Sequence, residues 1–108
     1  MSIDFTPHAV YDIDTASEYL EAEKAGGGGR FRADLTQLLA QLELLPEAAD
    51  LHDPPNPRHP GLRFRQLPVF WHYAVYYRPV PDGILVVRVL HTSRNVAAIF
   101  APDPDPPA

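Results

Sequence analysis

Apolar positions recur at helical spacing through the first half of the chain and at strand spacing through the second, which divides the sequence into two structural layers. Ser2 to Phe5 reads as a short strand. Thr6-Pro7 then supplies a helix N-cap and a proline at the first helical position, where its missing N–H removes no hydrogen bond. Ala9, Ile13, Ala16 and Leu20 form the buried stripe of that helix, with Val10 and Tyr19 beside it and Asp12, Asp14, Glu18, Glu21 and Glu23 on the other faces. Thr15-Ala16-Ser17-Glu18 also fits a capping box, so a start near Thr15 is the competing reading. The run Gly26 to Gly29 ends the helix in either case. From Arg30 onward, Phe31, Leu35, Leu38, Leu39, Leu42 and Leu45 mark a second amphipathic helix, which Pro46 terminates. So short a turn between helices implies that they pack antiparallel.

Residues 46 to 60 hold five prolines and read as an irregular extended connection. The period then changes to two. Leu62 and Phe64 alternate with Arg63 and Arg65, as in a half-buried strand, and Pro68 closes it. Trp71 to Arg78 and Ile84 to His91 are rich in aromatic and β-branched residues, and Asp82-Gly83 between them is a hairpin signal. The expected fold is α+β, with a short N-terminal strand and an antiparallel helix hairpin packed on an antiparallel sheet. Residues 1–100 form one domain in this reading, and the proline-rich tail 101–108 is expected to be disordered.

At 108 residues, 45% of them apolar, the chain can build one hydrophobic core and not two. The absence of cysteine excludes disulfides and thiolate sites. The first residues form no signal-peptide pattern and no stretch approaches a membrane span, so the reading is a cytoplasmic protein without membrane contact. The net charge of −5 is unevenly distributed. Residues 1–53 hold eleven Asp and Glu against Lys24, Arg30 and Arg32, whereas residues 54–100 hold six arginines against Asp82 alone. Either the C-terminal half presents a basic surface to an acidic partner, or acidic helices neutralise a basic sheet internally.

Two other signals carry less. Closely spaced glycines can cradle an anion, but no Gly-Lys-Ser/Thr follows Gly26 to Gly29 and no strand precedes them, so a flexible interhelical turn is the preferred reading. His52, Asp53 and His59 lie in the proline-rich connection without the spacing of a closed metal site. We expect neither metal nor cofactor. Phe70, Trp71, Tyr73, Tyr76 and Tyr77 are of the type that stacks on bases, but filling the core accounts for most of them.

Four segments, in this order on this pattern of elements, resemble the RelE/ParE family of toxins from type II toxin–antitoxin systems. They are Ile3-Asp4-Phe5-Thr6-Pro7, Pro60-Gly61-Leu62-Arg63, Tyr76-Tyr77-Arg78 and Arg88-Val89-Leu90-His91-Thr92-Ser93-Arg94-Asn95, and they span most of the chain. The glycine run, the acidic balance and the proline-rich tail depart from the family's usual pattern. The resemblance implies a growth-arresting toxin held inactive by a smaller cognate antitoxin. Its closing segment looks more ParE-like, which implies DNA gyrase as target and no catalytic site. A RelE-like member would instead be a ribosome-dependent endoribonuclease acting on messenger RNA. A third possibility keeps the fold without the toxicity, as a module that titrates antitoxin.

If the strand faces coincide, Arg63, Arg65, Arg78, Arg88 and Arg94 form a basic target-binding surface, while Arg63 and Arg88 on opposite faces would exclude a single patch. On the ribonuclease reading the catalytic candidates are Arg63, Arg65, His72, Tyr76, Arg88 and His91. Arginines would bind phosphate, and His72, His91 or Tyr76 would move the proton that arginine cannot. The structural alternatives are a His91 that bonds locally at its strand end and an Arg88 paired with a helix carboxylate such as Glu18 or Asp34.

Overall fold

A computed structural model describes residues 2–52 and 57–100. The order is β1 (Ser2–Phe5), α1 (Pro7–Glu23), α2 (Gly27–Leu44), β2 (Asp50–Leu51), β3 (Arg63–Gln66), β4 (Tyr73–Val80), β5 (Gly83–His91) and α3 (Val96–Ile99). Five strands form one sheet in the order β1-β5-β4-β3-β2. β1 runs parallel to β5, and β2 to β5 form antiparallel pairs. The fold is α+β, as the pattern implies.

Helix α1 starts where Thr6-Pro7 directs it, with the Thr6 hydroxyl accepting from the Ala9 N–H, so the competing start near Thr15 is excluded. The glycine run corrects the expectation of a flexible turn. Gly26 is the left-handed N-cap, with φ 84°, and Gly27 to Gly29 already belong to the first turn of α2. A methyl group on Gly27 would collide with the Leu20 carbonyl oxygen, and one on Gly28 would lie 2.7 Å from the Ser17 carbonyl oxygen. These glycines therefore let the two helix backbones touch. The Glu21 carboxylate accepts from the Gly26 and Gly28 N–H groups at 2.8 and 3.2 Å, capping α2 from the preceding helix.

The main core lies between the helix pair and one sheet face. Ala9, Ile13 and Ala16 of α1 and Phe31, Leu35, Leu38, Leu39 and Leu42 of α2 meet Tyr73, Val75, Tyr77, Ile84, Val86 and Val89. A second cluster, Leu62, Ala74, Tyr76, Val87 and Leu90, lies on the other face, where Val96, Ile99 and Phe100 pack against it. Coverage on both faces explains why β4 and β5 are almost unbroken apolar runs. Two elements escape the sequence pattern. β2 is a two-residue edge strand inside the stretch read as irregular, and α3 is a single turn capped by the Asn95 side chain at Ala98. The expected disordered tail lies outside the described residues.

Candidate functional site

The first pair of candidate arginines is engaged within the fold. In the β3–β4 ladder Arg63 stands opposite Tyr77 and Arg65 opposite Val75, so both share the helix-packed side of the sheet. Arg63 Nη1 donates to the Glu47 and Ala49 carbonyls at 3.1 and 2.7 Å, and Arg65 Nη2 donates to Ala48 at 2.9 Å. The Tyr77 hydroxyl donates to Pro46 at 2.7 Å. Four consecutive carbonyls just beyond the C-terminus of α2 thus have side-chain donors, two of them cationic, which suits the negative end of the helix. The two arginines tie the helix layer to the sheet.

Arg88 is on the other side of that register. A bulge between the Tyr76 and Tyr77 pairings places Arg88 opposite Tyr76 and Val86 opposite Tyr77, with Val87 extra. Tyr76 belongs to the second cluster, so Arg63 and Arg88 do not share a face, and the expected single basic patch is not assembled. Arg88 reaches α1 instead. Its Nε and Nη2 donate to the two Asp12 oxygens at 2.7 and 2.9 Å, and the Val89 N–H donates to the same carboxylate at 3.1 Å. The pair's side chains are 18% and 8% exposed, and the hydrogen bond to Asp12 raises the guanidinium pKa against the opposing effect of burial. The partner is Asp12, not Glu18 or Asp34, because the bulge and the uncovered half of β5 bring Arg88 to the first turns of α1. Arg78 is half-buried opposite Leu85, and its charge helps lower the pKa of His59, whose largest cause is burial. Arg94 is exposed in the turn after β5.

The proton-transfer candidates are also dispersed. Tyr76 is 7% exposed, enclosed by His52, Phe64 and Phe100, and burial raises its pKa away from neutrality. His72 lies in the turn before β4, not on the strand. His91 bonds locally, its Nδ1 accepting from the Ser93 N–H at 3.1 Å with the Ser93 hydroxyl 2.7 Å away. That acceptor role fixes the proton of the neutral ring on Nε2. What the structure does bring together is a stack: His72 lies parallel to His91 at 5.7 Å, Trp71 packs on His72, and Tyr73 meets His91 edge-on at 5.1 Å.

Asp34 is a functional candidate that the pattern concealed. It lies on the buried stripe of α2, 7% exposed, and its Oδ2 accepts the Val69 and Phe70 N–H groups at 2.9 and 2.8 Å. Its position next to Leu35, in register with Phe31 and Leu38, was the only trace in the sequence. The loop it holds carries Val69 and Trp71, which remain 69% and 57% exposed. Among the described residues no group of three or more His, Asp and Glu side chains is placed to hold a metal ion, and Asp53 lies outside them. Nor, among these residues, is any helix long and apolar enough to cross a membrane.

The model of the family described as ParE toxin of type II toxin-antitoxin system, parDE, matches residues 3–96. The backbone is similar to a solved chain from the chromosomal ParDE TA system from P. aeruginosa, with a TM-score of 0.52 and 20% identity, covering 84% of this chain and 95% of that one. This likeness carries the fold. No curated protein matches the sequence.

Proposed function

Because the chain belongs to the ParE toxin family of type II toxin–antitoxin systems, we propose that it arrests growth by binding DNA gyrase through a protein–protein surface and is neutralised by a cognate antitoxin. The observation that carries this reading is the engagement of the candidate arginines. Arg63 and Arg65 are bound to backbone carbonyls and Arg88 to Asp12, on different sides of the sheet. A ribonuclease needs such groups convergent on one phosphate, with a proton carrier in reach. Here Tyr76 is buried and His91 Nδ1 is occupied by Ser93. The net charge of −5 adds to the case, since long-range repulsion weakens attraction to a phosphate backbone more than to a protein surface.

The test is to induce the chain without antitoxin in a bacterial host and map the 5′ ends of translated messages. Growth arrest with intact messages is the expected result. New ends in phase with codons would replace this reading with the endoribonuclease one.

A further inference from the structure

We propose that the cavity at the N-terminal end of α1, where His8, Arg58, His59 and Arg88 converge, is a binding site for a phosphate-class oxyanion. This goes beyond the gyrase reading and does not depend on it. The cavity holds about 270 Å³, and its walls come from four parts of the fold. Thr6 and His8 stand at the start of α1, Arg58 and His59 in the connection before β3, Arg88 on β5, and Phe100 just after α3. The bulge in β5 helps to make the space. Thr6 donates its N–H to the Val86 carbonyl at 3.0 Å and its hydroxyl to the Val87 carbonyl at 2.7 Å, so α1 opens beside the extra residue of that strand.

Two guanidinium and two imidazole groups line the cavity, and among the described residues that line it none is acidic. Arg88 is held in place by Asp12, which takes hydrogens from Nε and Nη2 and leaves Nη1 for a further acceptor. The start of α1 adds to these donors. Its first turn carries no acidic side chain, and the His8 N–H has no carbonyl partner within the helix. His59 is the group that the fold by itself leaves unexplained. Its Nδ1 is buried without a hydrogen-bond partner, although an imidazole nitrogen either donates or accepts. Burial, then Arg78 and Arg58, lowers the pKa of this ring, so the charges that act on it are positive.

Size and the placing of the donors select the ligand. Pockets that enclose drug-sized molecules run from roughly 300 to 1,000 Å³. At about 270 Å³ this one suits inorganic phosphate or a small phosphomonoester with water beside it, and is too small for a strand of RNA. Donors that come from α1, from the connection and from β5 surround the space, which matches the several oxygens of a tetrahedral anion better than the two of a planar carboxylate. Tyr76 and His91 are not among the lining residues, so the site does not restore the ribonuclease reading. An oxyanion held there joins three elements of the folded chain and stabilises it by mass action.

The experiment uses the whole purified chain in phosphate-free buffer, with inorganic phosphate and glycerol 3-phosphate as probes and sodium chloride at matched ionic strength as control. NMR follows the rings of His8 and His59, and thermal unfolding follows stability. Inorganic phosphate is expected to shift both rings along one saturable curve and to raise the His59 pKa, because a nearby anion favours the charged ring. The melting temperature should rise with phosphate concentration and not with chloride. Arg58→Ala is expected to weaken the apparent affinity about tenfold. Lys24→Ala, at the far end of α1, keeps the wild-type value. Tighter binding of glycerol 3-phosphate than of inorganic phosphate would identify a phosphate carried on a larger molecule, and equal binding would identify the free ion. The inference is overturned if chloride produces the same shifts, if Arg58→Ala binds as tightly as wild type, or if neither ring responds to phosphate at about 50 mM, which fills any site of millimolar affinity.

Discussion

Asp12 and Asp34 occupy equivalent roles at two places between the helix and sheet layers, yet they are built differently. Each is a helix carboxylate turned toward the sheet to accept backbone N–H groups. Asp12 does so beside a guanidinium, which satisfies both its oxygens. Asp34 accepts two neutral N–H groups and, among the described residues, has no cationic partner. The first is a neutralised cross-tie that fixes α1 to the bulged part of β5. The second leaves a net charge in the interior to hold a loop that faces solvent. One therefore joins the two layers of the fold and the other holds a solvent-facing loop, although residue type and burial are nearly the same.

Removing the cross-tie breaks this comparison most severely. Asp12→Ala leaves Arg88 half-enclosed without its partner and the Val89 N–H without an acceptor, and is expected to lower unfolding free energy by about 3 kcal/mol in denaturant titration. Adding Arg88→Met should recover part of that loss, because the stranded charge is then gone. Asp34→Ala orphans two neutral N–H groups and is expected to cost about 2 kcal/mol, with faster hydrogen exchange at Val69 and Phe70 as its signature. Asp34→Asn sharpens the contrast. It keeps an acceptor oxygen and sheds the buried charge, so its cost should be below about 1 kcal/mol. A loss as large as that of Asp34→Ala would contradict the view of Asp34 as an acceptor for backbone donors.

A third carboxylate extends the series toward solvent. Glu21 caps the first turn of α2 from an exposed position, and Glu21→Ala is expected to cost about 0.5–1 kcal/mol by the same titration. The smallest effect concerns pH. Burial, with Arg78 and then Arg58, lowers the pKa of His59 below its ordinary value of 6.5. The unfolded chain therefore binds the proton more readily, so this histidine's contribution is complete above about 6.5 and declines as pH falls from there toward the lower folded value. His59→Gln should flatten that part of a stability profile measured between pH 7 and 5.

Much of the architecture was legible because it rests on local rules. Thr6-Pro7 fixed the start of α1, the leucine stripe gave α2, and Asp82-Gly83 with its apolar flanks gave the β4–β5 hairpin. The glycine run departs from the expectation because a local rule reads glycine as a breaker, whereas here α1 lies so near Gly27 and Gly28 that a side chain there would collide with its backbone. β2 and α3 were missed because two and four residues are too few to show a period, and tertiary pairing alone holds them. The candidate surface was least legible. Alternation correctly placed Arg63 with Arg65, but the bulge at Val87 turned Arg88 away from them and toward an aspartate assigned to a solvent face. Asp34 stood out only as an acid within an apolar stripe, and its meaning depended on a loop 35 residues further along the chain.

The most direct test of the central claim is a supercoiling assay with purified DNA gyrase and relaxed plasmid, in the absence of ribosomes and RNA, across a titration of the purified chain. Conversion to supercoiled product is expected to fall as the chain is added and to return when the cognate antitoxin is supplied. Undiminished supercoiling at every concentration, from a chain that still arrests growth in cells, would contradict it.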